Sequence, residues 1–283
     1  MKRLRNRILK RKFHLAAGIL LLLIVLMALL APVPVDVDPN AQDLPSRLLP
    51  PAWMAGGTRE HVLGTDHLGR DMLARLIFGS RVSLAVGLLA ALFSALLGVG
   101  LGLLAGYYGG WVDNVIMRLA DIQLAIPGIL LALVLVAVLG PSFRNLVIVL
   151  GITGWVTYAR VARAQVLTLR EMEFVQSGMA IGATVPRILI FYLLPNLWNS
   201  VIVVLTMQVA SFIVQESALS FLGLGVPLTT PTWGGMLNDG QLFMASAWWL
   251  ATFPGLAILI TVLCINLVGD LLRDLLDPKL RNM

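Results

Sequence analysis

An all-α polytopic membrane protein with six transmembrane helices is the fold class this sequence predicts, and three observations predict it. Of 283 residues, 58% are hydrophobic and only 13% charged, where soluble domains carry about a quarter charged residues, and mean hydropathy is +0.88. Six apolar runs occur, at 15–31, 82–106, 120–139, 146–159, 197–214 and 248–268, against the roughly 20 residues a helix needs to cross a bilayer. With the N-terminus inside, the alternation of six spans places 15 of the 21 Lys and Arg residues on the inner side, as the positive-inside rule requires.

Residues 1–14 form a basic cytoplasmic N-terminus, holding Lys2, Arg3, Arg5, Arg7, Lys10, Arg11 and Lys12. That placement accounts for much of the net charge of +6 as a topology signal, and it argues against a nucleic-acid partner. The first run, 15–31, is longer than the apolar region of a cleaved signal peptide, about 7–15 residues, and no small-x-small cleavage site follows it. It is read as a retained first span.

Residues 32–81 form a long external, periplasmic segment. Its early part, PVPVDVDPN and then DLPSRLLPP, is rich in Pro and Asp and predicts extended chain. From Asp71 onward, Leu73, Leu76 and Ile77 share one helical face and Arg75 lies off it, the pattern of a helix at the membrane interface. The remaining five spans make a core over 82–268. In the second span Gly98, Gly102 and Gly106 recur every four residues, which lets another helix approach closely. The third run carries Pro127 and the fourth is short. The alternation puts 107–119, 160–196 and the tail 269–283 in the cytoplasm. The last outside stretch, 221–247, contains no basic residue.

The loop 160–196 is polar where its surroundings are not. Its segment EFVQSGMAIGATVPRILIFYLLPN carries Glu173, Gln176, Arg187 and Asn196, and periodicity reads it as two short amphipathic helices joined at Gly182. Such a segment does not sit in hydrocarbon, so it projects into water as a docking element.

The chemistry available to the chain is narrow. A phosphate-binding loop needs Gly-x-x-x-x-Gly-Lys followed by Ser or Thr, and none of Lys2, Lys10, Lys12 and Lys279 follows a glycine. An intramembrane enzyme would want a His, paired carboxylates or a metal cluster in the spans. His14, His61 and His67 all precede the later spans, and His61 with His67 makes only a sparse metal pair. No metal site or cofactor is therefore expected, and Cys264 has no partner for an internal disulfide. Gln208, Gln215 and Glu216 lie in or near the outer half of the fifth span, where they either line a polar translocation path or hydrogen-bond neighbouring helices. An ion-coupled secondary transporter would use such groups, and dependence of transport on an ATPase partner separates the two classes.

The projecting segment resembles the cytoplasmic loop of the inner-membrane permeases of bacterial ATP-binding-cassette importers. That loop reads Glu-Ala-Ala, three residues, Gly, nine residues, Ile-x-Leu-Pro. Here the frame falls on Gln176-Ser177-Gly178, Gly182 and Tyr192-Leu193-Leu194-Pro195. Spacing, Gly, Leu and Pro are kept. The first triplet departs from the pattern, although Glu171 and Glu173 lie nearby. LGTDHLGRDMLARLIFGSRVSL, with Gly64, Thr65, Asp66, Gly69, Arg70, Asp71, Gly79 and Arg81, is similar to the peptide/nickel branch of the family, as are FLGLGVP, PTWGGML and NLVGDLLRDLLDP.

The resemblance implies a type I importer permease architecture with Glu173, Gln176, Ser177, Gly178, Gly182, Arg187 and Pro195 in an ATPase-coupling loop. It also implies partners. These are a second, different permease subunit, two ATP-binding subunits or domains that hold the ATP, and a periplasmic or lipid-anchored solute-binding protein, with the permease itself in the inner membrane among its lipid. The substrate it implies is a di- or oligopeptide, with nickel or a nickel chelate as the alternative.

Overall fold

The structure, a computed structural model, describes residues 2–30, 38–227 and 229–276, with the backbone alone over 2–12. The expectations for 32–37, for the end of the first run at Ala31 and for the tail beyond 276 lie outside the described residues. Nine helices matter for the site: α1 (Lys2–Leu30), α2 (Met72–Tyr108), α3 (Gly110–Leu124), α4 (Gly128–Leu139), α5 (Phe143–Leu169), α6 (Glu173–Ala180), α7 (Val185–Phe221), α8 (Trp233–Gly240) and α9 (Trp249–Leu276). Five helices are long and apolar enough to cross a membrane, and α3 with α4 makes a sixth, broken span if the pair is counted as one.

The centre of the bundle is the α2–α5 contact, and the glycine stripe makes it. A Cβ on Gly98 would fall 2.3 Å from the Trp155 carbonyl oxygen, one on Gly102 2.5 Å from that of Ala159, and one on Gly106 2.7 Å from Val166 Cβ. The two backbones touch because there is no side chain between them. Around this seam, Val86 and Ala90 of α2 pack with Ala132 and Val136 of α4, Leu146 and Val149 of α5 and Phe212 of α7. α1 lies outside this core and rests on α9, with Leu21 and Ile24 against the cluster of Trp249 and Leu250.

Several expected boundaries move. The interfacial helix from Asp71 and the second span are one helix of 37 residues. Asp71 caps it, accepting from Ala74 N at 2.7 Å, and no proline interrupts it. Residues 107–119, expected in the cytoplasm between the second and third spans, belong to the end of α2 and to α3. The two helices are hinged at Gly109 and Gly110, whose φ values are +63° and +49°; such angles favour glycine. The third run is not one straight helix: α3 and α4 meet at 88° around Pro127, where a proline with no N–H ends the helical ladder. The loop 160–196 contracts, since α5 runs on to Leu169 and α7 starts at Val185.

Candidate functional site

The expected helix–Gly–helix forms. α6 holds Glu173 in its first turn, and Gly182 follows at φ +81°. The chain then re-enters a helix at Val185 with Pro186 in its first turn, a position where proline lacks nothing. Val175, Ile188, Leu193 and Leu197 form the dry side of this hairpin and pack on Val166 of α5. Glu173, Ser177, Gly182, Arg187 and Pro195 are exposed, and Ile181 at the turn is 81% exposed. Gly178 is buried, its missing Cβ leaving room for the Tyr192 ring, which would stand 2.9 Å away.

Gln176 has a structural reason to be an amide. Its Nε2 donates to the Arg170 carbonyl at 2.8 Å at the C-terminus of α5, and an ionised glutamate there would have no proton to donate. Arg170 in turn donates from one guanidinium nitrogen to the carbonyls of Gly106 and Tyr107, both at 3.3 Å. The loop is thus tied to the ends of α2 and α5. Arg187 makes no ion pair among the described residues and stays free at the surface.

The second short helix does not stop before the fifth span. Val185–Arg187 continues through a π-helical turn, Ile188–Leu193, into the long helix. Pro195 lies just beyond that turn and cannot donate to the carbonyl four residues back, and the widened turn absorbs the missing bond. Pro195 therefore marks a change of winding rather than the entry of a separate span.

The expected trio in the fifth span separates. Gln208 and Gln215 are half-buried on one face, with Gln215 Nε2 donating to Ser211 Oγ at 3.0 Å. Glu216 points the other way, into the core, and is 0% exposed. It accepts from Ser220 Oγ at 2.7 Å and Ser217 Oγ at 3.4 Å. One residue further along a helix turns the side chain by about 100°, so Glu216 leaves the face that the two glutamines share, and both of these bonds stay within α7.

A groove that the sequence reading passed over lies at the loop end of the bundle. Its volume is about 560 Å³, and Gln165 of α5, Asn196, Asn199 and Ser200 of α7, and Arg273 of α9 line it. Gln165 donates to Ser200. The i, i+3, i+4 spacing of Asn196, Asn199 and Ser200 was the available signal. Chemically the groove offers amides, a hydroxyl and a guanidinium, the donors and acceptors that fit a polar backbone.

At the opposite end, the motif preceding α2 builds a closed ion cluster. Asp66 Oδ1 accepts from the backbone N of Leu68 and of Arg70, both at 2.9 Å, and Oδ2 accepts from Arg70 Nε at 2.6 Å and from Arg75. Asp239 of α8 accepts from Arg70 at 2.9 Å and lies 3.1 Å from Arg75. Arg75, expected at an interface, is instead 3% exposed, because these carboxylates pair with it. His61 bonds Asp71 at 2.9 Å, and His67 stacks on Phe243, so the two histidines do not form a pair. His67 does approach Asp66 and Asp239 with potential ligand atoms within 4.8 Å, but the two guanidinium groups already neutralise both carboxylates.

Burial of Asp66 favours its neutral form, yet Arg75, Arg70 and the backbone N–H groups of Arg70 and Leu68 outweigh it and hold the carboxyl below its ordinary value of 3.8. A carboxylate with a depressed folded pKa adds stability above its unfolded pKa and loses it as pH falls through the folded one. The melting temperature of the detergent-purified protein should therefore be insensitive to Asp66 from neutrality down to about pH 4 and fall below it. Asp66→Asn should flatten that acid limb. An identical acid limb in the variant would remove Asp66 as its source.

Comparison with known proteins returns a consistent set of relatives. The family described as binding-protein-dependent transport system inner membrane component matches residues 98–282, and the N-terminal TM domain of oligopeptide transport permease C matches residues 1–51. The di/tripeptide transport system permease protein DppC of Pseudomonas aeruginosa is 45% identical over 96% of this chain and 89% of its own. The dipeptide permease DppC of Haemophilus influenzae is 43% identical over 93% and 89%. The glutathione transport system permease protein GsiD of Pectobacterium atrosepticum is 40% identical over 98% and 90%. Among solved structures, a chain of the inward-facing MetNI methionine ABC transporter superposes with a TM-score of 0.57 at 17% identity, covering 73% of this chain and 98% of that one. The shared fold is that of an importer permease.

Proposed function

From the premise that this chain belongs to the family of binding-protein-dependent transport system inner membrane components, we propose that it forms half of the path by which an ATP-driven importer takes up di- and oligopeptides. The observation that carries the reading is the exposed helix–Gly182–helix element, continuous with a spanning helix and held to the ends of α2 and α5. Family membership makes the chain a permease subunit rather than an enzyme. ATP is then bound and hydrolysed on two partner subunits or domains, whose movement reaches this chain through Glu173, Gln176, Ser177, Gly178, Gly182, Arg187 and Pro195.

The relatives described above are named for dipeptides, di- and tripeptides and glutathione, which favours peptide over nickel as cargo. The polar groove of Gln165, Asn196, Asn199 and Arg273 suits the amide groups of such a cargo on the loop side. Six spans make half a path, so a second, different permease completes it, and a solute-binding protein delivers substrate outside. The basic N-terminus supports an inner-membrane topology with both termini cytoplasmic.

The test is uptake by the assembled complex in proteoliposomes with its binding protein outside. Labelled dipeptide should enter only with ATP, and a labelled nickel chelate should not. Nickel uptake without peptide uptake would overturn the cargo assignment.

A further inference from the structure

The bend between α3 and α4 has no place in that account, yet it leaves backbone polar groups open inside a broken membrane span. Among the described residues, no hydrogen bond reaches the carbonyls of Leu124, Ala125 and Ile126, and the amides of Gly128 and Ile129 donate to nothing. Leu124, Ile126, Ile129 and Leu130 are all exposed, as are the residues between them, Gly128 with no side chain among them.

Its depth follows from its neighbour. Gln123, just before the bend, donates to the Thr153 carbonyl at 2.7 Å and accepts from Trp155 Nε1 at 2.7 Å. Arg144 and Arg160 bracket an uncharged stretch of α5, and Thr153 lies between them. It stands nine positions from Arg144 and seven from Arg160, about 14 and 10 Å at 1.5 Å per residue, and so lies inside a hydrocarbon layer of about 30 Å. Lipid cannot satisfy open peptide groups at that depth, each of which costs several kcal/mol there. Irregular backbone persists in a membrane only where it is buried in protein or lines a watery cavity, and in this chain it is not buried.

We infer that residues 124–128 form part of the wall of the aqueous translocation path, at the seam with the second permease subunit. The inference rests on the importer reading. The open carbonyls give the wall hydrogen-bond acceptors, and they suit the N–H groups of a passing peptide. Leu124, Ile126 and Ile129 surround them with apolar surface that does not hold the cargo.

The experiment is thiol accessibility in the assembled complex in proteoliposomes. Cys264, the single native cysteine, is replaced by serine, and cysteines are placed singly at Ile126, Ile129 and, as a lipid-facing control on α1, Leu22. Each variant is first shown to retain ATP-dependent uptake. A charged thiol reagent needs a hydrated thiolate, so Ile126→Cys or Ile129→Cys should react about tenfold or more faster than Leu22→Cys, and its modification should inhibit uptake. Reaction of both as slow as the control overturns the inference, whether lipid or dry protein covers the bend. Loss of ATP-dependent uptake in the unsubstituted complex would instead overturn the importer reading.

Discussion

Gly182→Arg will insert and assemble like the unsubstituted chain and lose nearly all ATP-dependent uptake. Space within the chain is not the reason, because a Cβ built on Gly182 meets nothing within 4 Å. Two other effects combine. The φ of +81° costs an ordinary side chain about 1 kcal/mol or more, which shifts the turn between α6 and α7. On the proposed coupling reading, the guanidinium then occupies the space that an ATPase partner enters. Loss of one interface anchor costs about 2 kcal/mol, roughly 30-fold in affinity, and uptake should fall by at least that factor. Gly182→Asn separates the two contributions, since asparagine tolerates the left-handed region but is small; it should retain most uptake. Equal uptake by the Arg variant and the parent would rule out a docking role for this turn.

The second large effect is at the outer end. Arg75→Met leaves Asp66 and Asp239 short of a guanidinium in a site where both are largely buried. Breaking one side of a buried ion cluster costs about 3–5 kcal/mol, and a loss near the lower figure is expected because Arg70 remains. Thermal unfolding in detergent should show it. Asp66→Asn combined with Arg75→Met removes charge from both sides and should cost less than the sum of the single changes. Additive losses would mean that the two residues act independently, contrary to the geometry.

What was legible in the sequence follows from which forces are local. Apolar runs are visible because lipid penalises every polar group in them, and the glycine stripe is visible because contact between helices needs a fixed spacing. The turn at Gly182 was readable from one residue type. Helix continuity was not, because the α2 and α7 boundaries depend on caps and on a π-helical turn rather than on composition. The role of Arg75 was hidden for another reason. Its partner Asp239 lies far along the chain, and only the fold brings α8 onto the start of α2. The division between Gln208 and Gln215 on one side and Glu216 on the other was within reach of simple helical arithmetic.

The length of α7 has a mechanical consequence. Its 37 residues make a rod of about 55 Å, with the docking turn at one tip and the Glu216–Ser220 contact near the other. A rod tilting about its middle moves its tips in opposite directions, by about 5 Å each for a 10° tilt at that length. On the proposed coupling reading, force applied by a partner at the Gly182 tip arrives at the far side as a lever stroke of reversed sign, with no relay of side chains needed between them.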